Sequence, residues 1–290
     1  MIKIIATLSK KVAMLITLQN AVNEIKNSIE NAILQSGTDG KNNLIRTQKP
    51  IKLLHDVVKS ELIRNKVKED LIRPLLSESR GELSLSGFFK RKDQDICVIP
   101  KSKSANRETL SFEGILNGAH DVYGHEFTER CLSVNVRSQL SSSAKNFDTL
   151  YERTFAEALN LHLRCPRMVL GEFYMIAVNE YDSNACNRKE IRYRSISSIE
   201  KHIEKYLKSF SAVNLRKDVN NEHYKYERVC LLIVDFSKPI PKIYNSDEEL
   251  IADGLLPLNS AASINNLSFP NFIESLIKIY VDRFDSDILK

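Results

Sequence analysis

At 290 residues the chain is long enough to bury a substantial core without disulfides or structural metals. Hydrophobic residues at 42%, charged residues at 27% and only 9 Gly and 8 Pro exclude a collagen-like, low-complexity or largely disordered chain. A net charge of +5 permits a polyanionic partner without requiring one. The five scattered cysteines, none in C-x-x-C spacing, argue against a disulfide framework or zinc site and for buried thiols in a reducing compartment.

The N-terminal MIKIIATLSKKVAMLITLQNAV is apolar, but Lys3, Lys10 and Lys11 interrupt it. Val12 to Leu18 falls short of the roughly 20 residues that span a bilayer, and no small-residue cleavage site follows. The expectation is a cytoplasmic protein with no membrane partner. Leu15, Leu18, Val22, Ile25, Ile29 and Ile33 recur every three or four positions and predict an amphipathic helix from Val12 to Leu34. The polar run Gln35 to Thr47, with Gly37 and Gly40, reads as a loop. A second helix is predicted over Ile51 to Leu76, with Pro74 kinking or ending it. Residues 1–80 thus read as an N-terminal helical arm, and 81–290 as an α/β core with C-terminal helices.

Within that core, Gly87-Phe88-Phe89 leads through a charged turn, KRKDQ, into Asp95-Ile96-Cys97-Val98-Ile99-Pro100, a short buried strand stopped by proline. Phe112 to Phe127 is ambiguous. Leu132 to Arg137 alternates as a strand, Phe147 to Leu163 has helical spacing, and Val169 to Val178 is a strand apolar except for Glu172. A helix over Ile196 to Phe210, a central strand over Val229 to Phe236 and a closing helix over Phe269 to Phe284 follow. Strands alternating with helices predict a mixed central sheet flanked by helices.

Neither a P-loop nor a dinucleotide-binding glycine motif is present. His120 and His125 are spaced i, i+5, which does not align two imidazoles on one helical face, and Gly124 reads as loop. Basic side chains for phosphate contacts are Lys92, Lys145, and Arg192 and Arg194, which would share one face of an extended segment.

Phosphodiester hydrolysis calls for carboxylates around a hard divalent cation. An Asp at the head of one strand and two residues, one apart, on its neighbour achieve this, because i and i+2 face the same side. Asp95 opens a strand, and Asn135 and Arg137 share one face of the next. From Gly87 to about Asp182, through GFF, DICVIP, SVNVRSQLSSSAKNFDTLYERTFAEALNLH and LGEFYMIAVNEYD, the chain resembles the type II restriction endonucleases of the PD-(D/E)XK superfamily.

The resemblance implies a restriction-endonuclease-like core that hydrolyses double-stranded DNA with Mg²⁺ and works as a homodimer. Asp95 falls at the first aspartate of that family, Asn135 where it has Glu or Asp, and Arg137 where it has Lys. Asn brings no negative charge, and Arg is too basic to release a proton near neutral pH. Three readings follow. The acid has migrated to the next helix, where Glu152 and Glu157 are available, leaving Asp95 and Glu152 to hold the metal with Asn135 and Arg137 beside them. Alternatively the site is inactive and the protein only binds nucleic acid or another partner. In the third, this is some other α/β domain.

Overall fold

The structure is a computed structural model that describes residues 15–76, 78, 80–140 and 147–290. The first helix, α1, runs Leu18–Arg46 and starts at Thr17, whose side chain accepts from the Asn20 N–H. It includes the segment expected to be a loop. Ser36 and Gly37 break the helical dihedrals, Gly37 at φ +61°, and helix resumes beyond them. A Cβ at position 37 would meet the Cys186 carbonyl at 2.8 Å, so the glycine serves a close approach rather than an exit. Residues 12–14 of the expected helix lie outside the described residues.

The second helix, α2 (Lys49–Arg64), ends a full twelve residues earlier than expected. Val67, Leu71 and Ile72 are buried at helical spacing, but beyond α2 only a single 3-10 turn, Glu69–Leu71, forms before strand β1 (Ile72–Arg73), paired to Val98 and Cys97. Next, β2 (Leu83–Ser86) and β3 (Arg91–Gln94) form a hairpin, so the charged KRKDQ is mostly strand. The reversal lies at Gly87 to Lys90. There the Asn160 side chain accepts from the Phe89 and Lys90 N–H groups at 2.7 and 3.0 Å and donates to the Lys90 carbonyl at 3.1 Å.

The remaining elements are β4 (Ile96–Val98), the short pair β5 (Glu108–Thr109) and β6 (His120–Asp121), α3 (His125–Glu129), β7 (Leu132–Gln139), α4 (Phe147–His162) and β8 (Val169–Ala177). They are followed by β9 (Asn179–Tyr181), α5 (Ser183–Asn187), β10 (Tyr193–Ser195), α6 (Ile199–Ala212), β11 (Arg228–Asp235), β12 (Lys242–Tyr244), α7 (Asp247–Ala252) and α8 (Phe272–Phe284).

Six strands build one mixed sheet in the order β1-β4-β7-β8-β11-β12. Its centre, β7-β8-β11, is parallel, with α4 and α6 as the intervening connections, and the outer pairs are antiparallel. Parallel neighbours need such crossovers, and a strand covered on both faces reads as a continuous apolar run, as β8 and β11 do.

Each face of the sheet has its own core. Val134, Val136, Phe173 and Leu232 pack against Val22, Leu54, Val58 and Leu276 of α1, α2 and α8. The N-terminal helices therefore cover one face of the sheet rather than standing beside it. Leu170, Tyr174, Leu231 and Ile233 pack on the other face against Ala158, Leu161, Tyr206 and Phe210 of α4 and α6. Each fully buried Val, Leu, Ile or Phe among them contributes about 1.5–3 kcal/mol. Gly171 lets α8 sit tight on β8, since a Cβ there would lie 2.7 Å from Leu276 Cδ1. All five cysteines are free and buried, and no helix among the described residues is long and apolar enough to cross a membrane.

Candidate active site

Alternation along β7 gives one face Leu132, Val134 and Val136, and the other Ser133, Asn135, Arg137 and Gln139. A file of polar side chains thus runs beneath α4, where an ordinary core would be apolar. Its two ends are accounted for. The Ser133 hydroxyl is bonded to the Gln94 side chain at 2.5 Å, and the Gln139 side chain accepts from the Tyr174 and Tyr206 hydroxyls at 3.0 and 2.5 Å.

The middle of the file is charged. Arg137 Nη2 donates to Glu157 Oε2 on α4, and Lys92 Nζ lies 2.9 Å from Glu157 Oε1. Asn135 Nδ2 makes long bonds of 3.4 Å to both Glu157 and the Tyr226 hydroxyl, which itself donates to the Thr154 carbonyl at 2.7 Å. On the far side, Glu172 of β8 lies in register with Asn135, fully buried, with Arg137 Nε 2.8 Å from its Oε1. That last contact is an ion contact only. Neither Glu172 oxygen, nor Arg137 Nε, nor Asn135 Oδ1 makes a hydrogen bond.

Asp95 sits in the bend between β3 and β4. Ile96 pairs with Val134, so Asp95 falls opposite Asn135, and its Oδ2 accepts from the Val136 N–H at 2.8 Å. Asp95, Asn135 and Glu172 therefore form a row across three neighbouring strands. Burial pushes the Glu172 carboxyl up, Arg137 opposes this, and Glu157 and Asp95 add to it, leaving it at about 7. Burial alone would lower the Arg137 guanidinium, but Glu172 and Glu157 outweigh it and hold the group above its ordinary value. Three carboxyl groups face two cations here, and with Glu172 at about 7 the third is part protonated near neutral pH, so the deficit of positive charge is partial.

That deficit bears on whether a divalent cation fits. Among the described residues no three His, Cys, Asp or Glu side chains form a ready-made chelate. Mg²⁺, however, takes only one or two protein carboxylates, completing its octahedron with water and phosphate oxygens. Unbonded, hard oxygens on Asn135 and Glu172, beside Asp95, are the donors such an ion prefers. The donor set fits.

No protein-family model, curated protein or solved structure matches this chain. Function must accordingly be read from the geometry. The structure brings Lys92, Asp95, Asn135 and Arg137 together and leaves Glu152 out of the group. On α4 the buried Thr154, Glu157, Ala158 and Leu161 define the sheet-facing side, while Glu152 is exposed on the turn of phase opposite to them. The acid that α4 delivers to β7 is Glu157.

Lys92 is held by Glu157 rather than extended to solvent, and Lys145 lies outside the described residues. Arg192 and Arg194 are exposed, yet Arg192 lies 3.4 Å from Glu190, and Arg194 lies 2.7 Å from Glu180, its partner across the β9–β10 ribbon. His120 and His125 go separate ways, to the Thr109 hydroxyl and the Arg164 carbonyl, and Asp121 is tied to Arg164. Sequence reading passed over Glu172 and Tyr226. Glu172 did leave a signal, as the one charged residue in an otherwise apolar strand; Tyr226 left none.

Proposed function

We propose that the chain is a DNA-recognising endonuclease, of the type II restriction class that its sequence resembles, hydrolysing phosphodiester bonds with Mg²⁺. One observation carries the reading. Asp95 at the head of β4 lies across from Asn135, with Arg137 two residues on and facing the same way, on strands that are hydrogen-bonded to each other. This is the relation the motif resemblance implies, and it brings oxygens without hydrogen bonds to one place.

Asp95 and the Asn135 amide oxygen would hold the metal, which when bound supplies charge neutralisation and a more acidic water. Asp95 is steadied for this by the Val136 N–H, which takes one of its oxygens and leaves the other. Arg137 stays protonated throughout, so it stabilises negative charge developing on the phosphate and does not accept a proton. Glu157 fixes the guanidinium from α4 and holds Lys92 beside it, so two cationic groups are kept where a phosphate would arrive. Duplex DNA is the substrate under this reading, and a homodimer the working unit, as the resemblance implies.

The test is Mg²⁺-dependent cleavage of mixed-sequence plasmid DNA. Cleavage by the native chain, abolished in Asp95→Asn with DNA binding retained, supports the reading. A second reading, a non-catalytic nucleic-acid-binding protein on the same fold, is favoured by one observation: Arg137 is already neutralised by Glu157 and Glu172. It predicts salt-sensitive DNA binding with no cleavage in Mg²⁺ or Mn²⁺.

A further inference from the structure

Resting on the endonuclease reading, we infer that Glu172 supplies the carboxylate that position 135 lacks, so that a divalent cation is held between Asp95, the Asn135 amide oxygen and Glu172. The three side chains lie on adjacent strands, in register at 135 and 172 and one step beyond the Ile96–Val134 pair at 95. Neighbouring strands are about 4.8 Å apart, so Glu172 stands one strand from the place the motif assigns to its acid.

Three glutamates compete for this role, and their partners decide among them. Glu152 is exposed and turned away from β7. Glu157 is already spent, with one oxygen on Lys92 and the other on Arg137 and Asn135. Glu172 is fully buried, and both of its oxygens lack a hydrogen bond. A buried carboxylate in that condition carries a large desolvation cost unless a cation answers it. Arg137 answers it only in part, because its directed bond goes to Glu157 and its Nε reaches Glu172 without hydrogen-bond geometry. Asn135 Oδ1, equally buried and unbonded, lies on the neighbouring strand and supplies a further hard donor. Arg137 keeps its anchor on Glu157 when a cation enters, so the two positive charges have separate partners.

Binding of Mn²⁺ alone to the full chain, followed by calorimetry and by the electron paramagnetic resonance signal of free Mn²⁺, tests the assignment without reference to cleavage. Expected are a Kd raised at least about tenfold in Asp95→Asn and in Glu172→Gln, and unchanged in Glu152→Gln. Returning the acid to the motif position gives the opposite effect: Asn135→Asp tightens Mn²⁺ binding in the native chain and restores it in the Glu172→Gln background. Native-like affinity in Glu172→Gln, or no gain from Asn135→Asp, overturns the assignment while leaving the endonuclease reading standing if Asp95→Asn still loses the ion. Should Glu172→Gln fail to fold, by circular dichroism, Glu172→Asp, which keeps the charge and shortens its reach, takes its place with the same weakened Mn²⁺ binding expected, and native-like affinity in it overturns the assignment. A native chain that neither binds Mn²⁺ nor cleaves DNA overturns both.

Discussion

Two glutamates, Glu172 and Glu227, are completely buried within two strands of each other, and they are treated in opposite ways. Glu227, just ahead of β11, is saturated. Its Oε1 receives Arg283 Nη1 at 2.9 Å and Arg216 Nη1 at 3.2 Å, and its Oε2 receives the Leu170 N–H at 2.7 Å, with His162 Nε2 at 3.5 Å. Burial would raise its carboxyl, yet His162, Arg283 and Arg216 hold it down at about 2. Glu172 has one off-line guanidinium and sits at about 7. Desolvation is common to both, so the difference lies in their partners. A buried charge met on every lone pair is accounted for by the scaffold, whereas one left short is where a missing partner is to be sought.

The largest effect should fall on the saturated partner. Glu227→Gln strands the guanidinium groups of Arg216 and Arg283, the first fully buried and the second largely so, and urea unfolding should show a loss of about 3–5 kcal/mol. A loss below about 1 kcal/mol would erase the distinction between the two sites. Lowering the pH offers the same contrast without mutation. With a folded value near 2 and an unfolded one near 4.3, Glu227 contributes stability that is complete above about pH 4.3 and is lost as pH falls toward 2. The loss amounts to about 3 kcal/mol, and Glu227→Gln should flatten that acid limb.

Glu172→Gln should be far milder, about 1 kcal/mol, since its oxygens accept no hydrogen bonds and Arg137 retains Glu157. A loss as large as that of Glu227→Gln would make Glu172 scaffold too. Glu152→Gln should change stability by less than about 0.5 kcal/mol and leave Mg²⁺-dependent cleavage intact. The smallest change is expected from alanine at Arg192 and Arg194. Both are compensated by glutamates, so the salt slope of DNA binding should shift by less than the roughly 0.9 per phosphate of a free contact.

Much of the sheet was legible in the sequence, because β7 alternates and β8 and β11 are long apolar runs bounded by polar residues. Strands of two to four residues, β1, β2, β3 and β12, carry too little pattern to separate from helix or turn. Val67, Leu71 and Ile72 imitate a helix by spacing alone. Asp95, Asn135 and Arg137 were legible as a group because alternation fixes their side of the strand. The choice between Glu152 and Glu157 was also written in the helical phase, since Thr154, Ala158 and Leu161 place Glu157 with the buried face. The Glu227 cluster was not legible. Its members at 162, 216, 227 and 283 meet only through long-range packing.

Glu157 and Asn160 are three residues apart and share a face of α4, one holding Arg137 and Lys92 and the other clamping the reversal between β2 and β3. Lys92 itself lies on that hairpin. The hairpin, the helix and the guanidinium on β7 are consequently linked through one face of α4. The outer end of the hairpin is the turn bearing Phe88 and the exposed Phe89. Asn160 thus ties the exposed tip of the hairpin to the same helix face that holds Arg137 and Lys92.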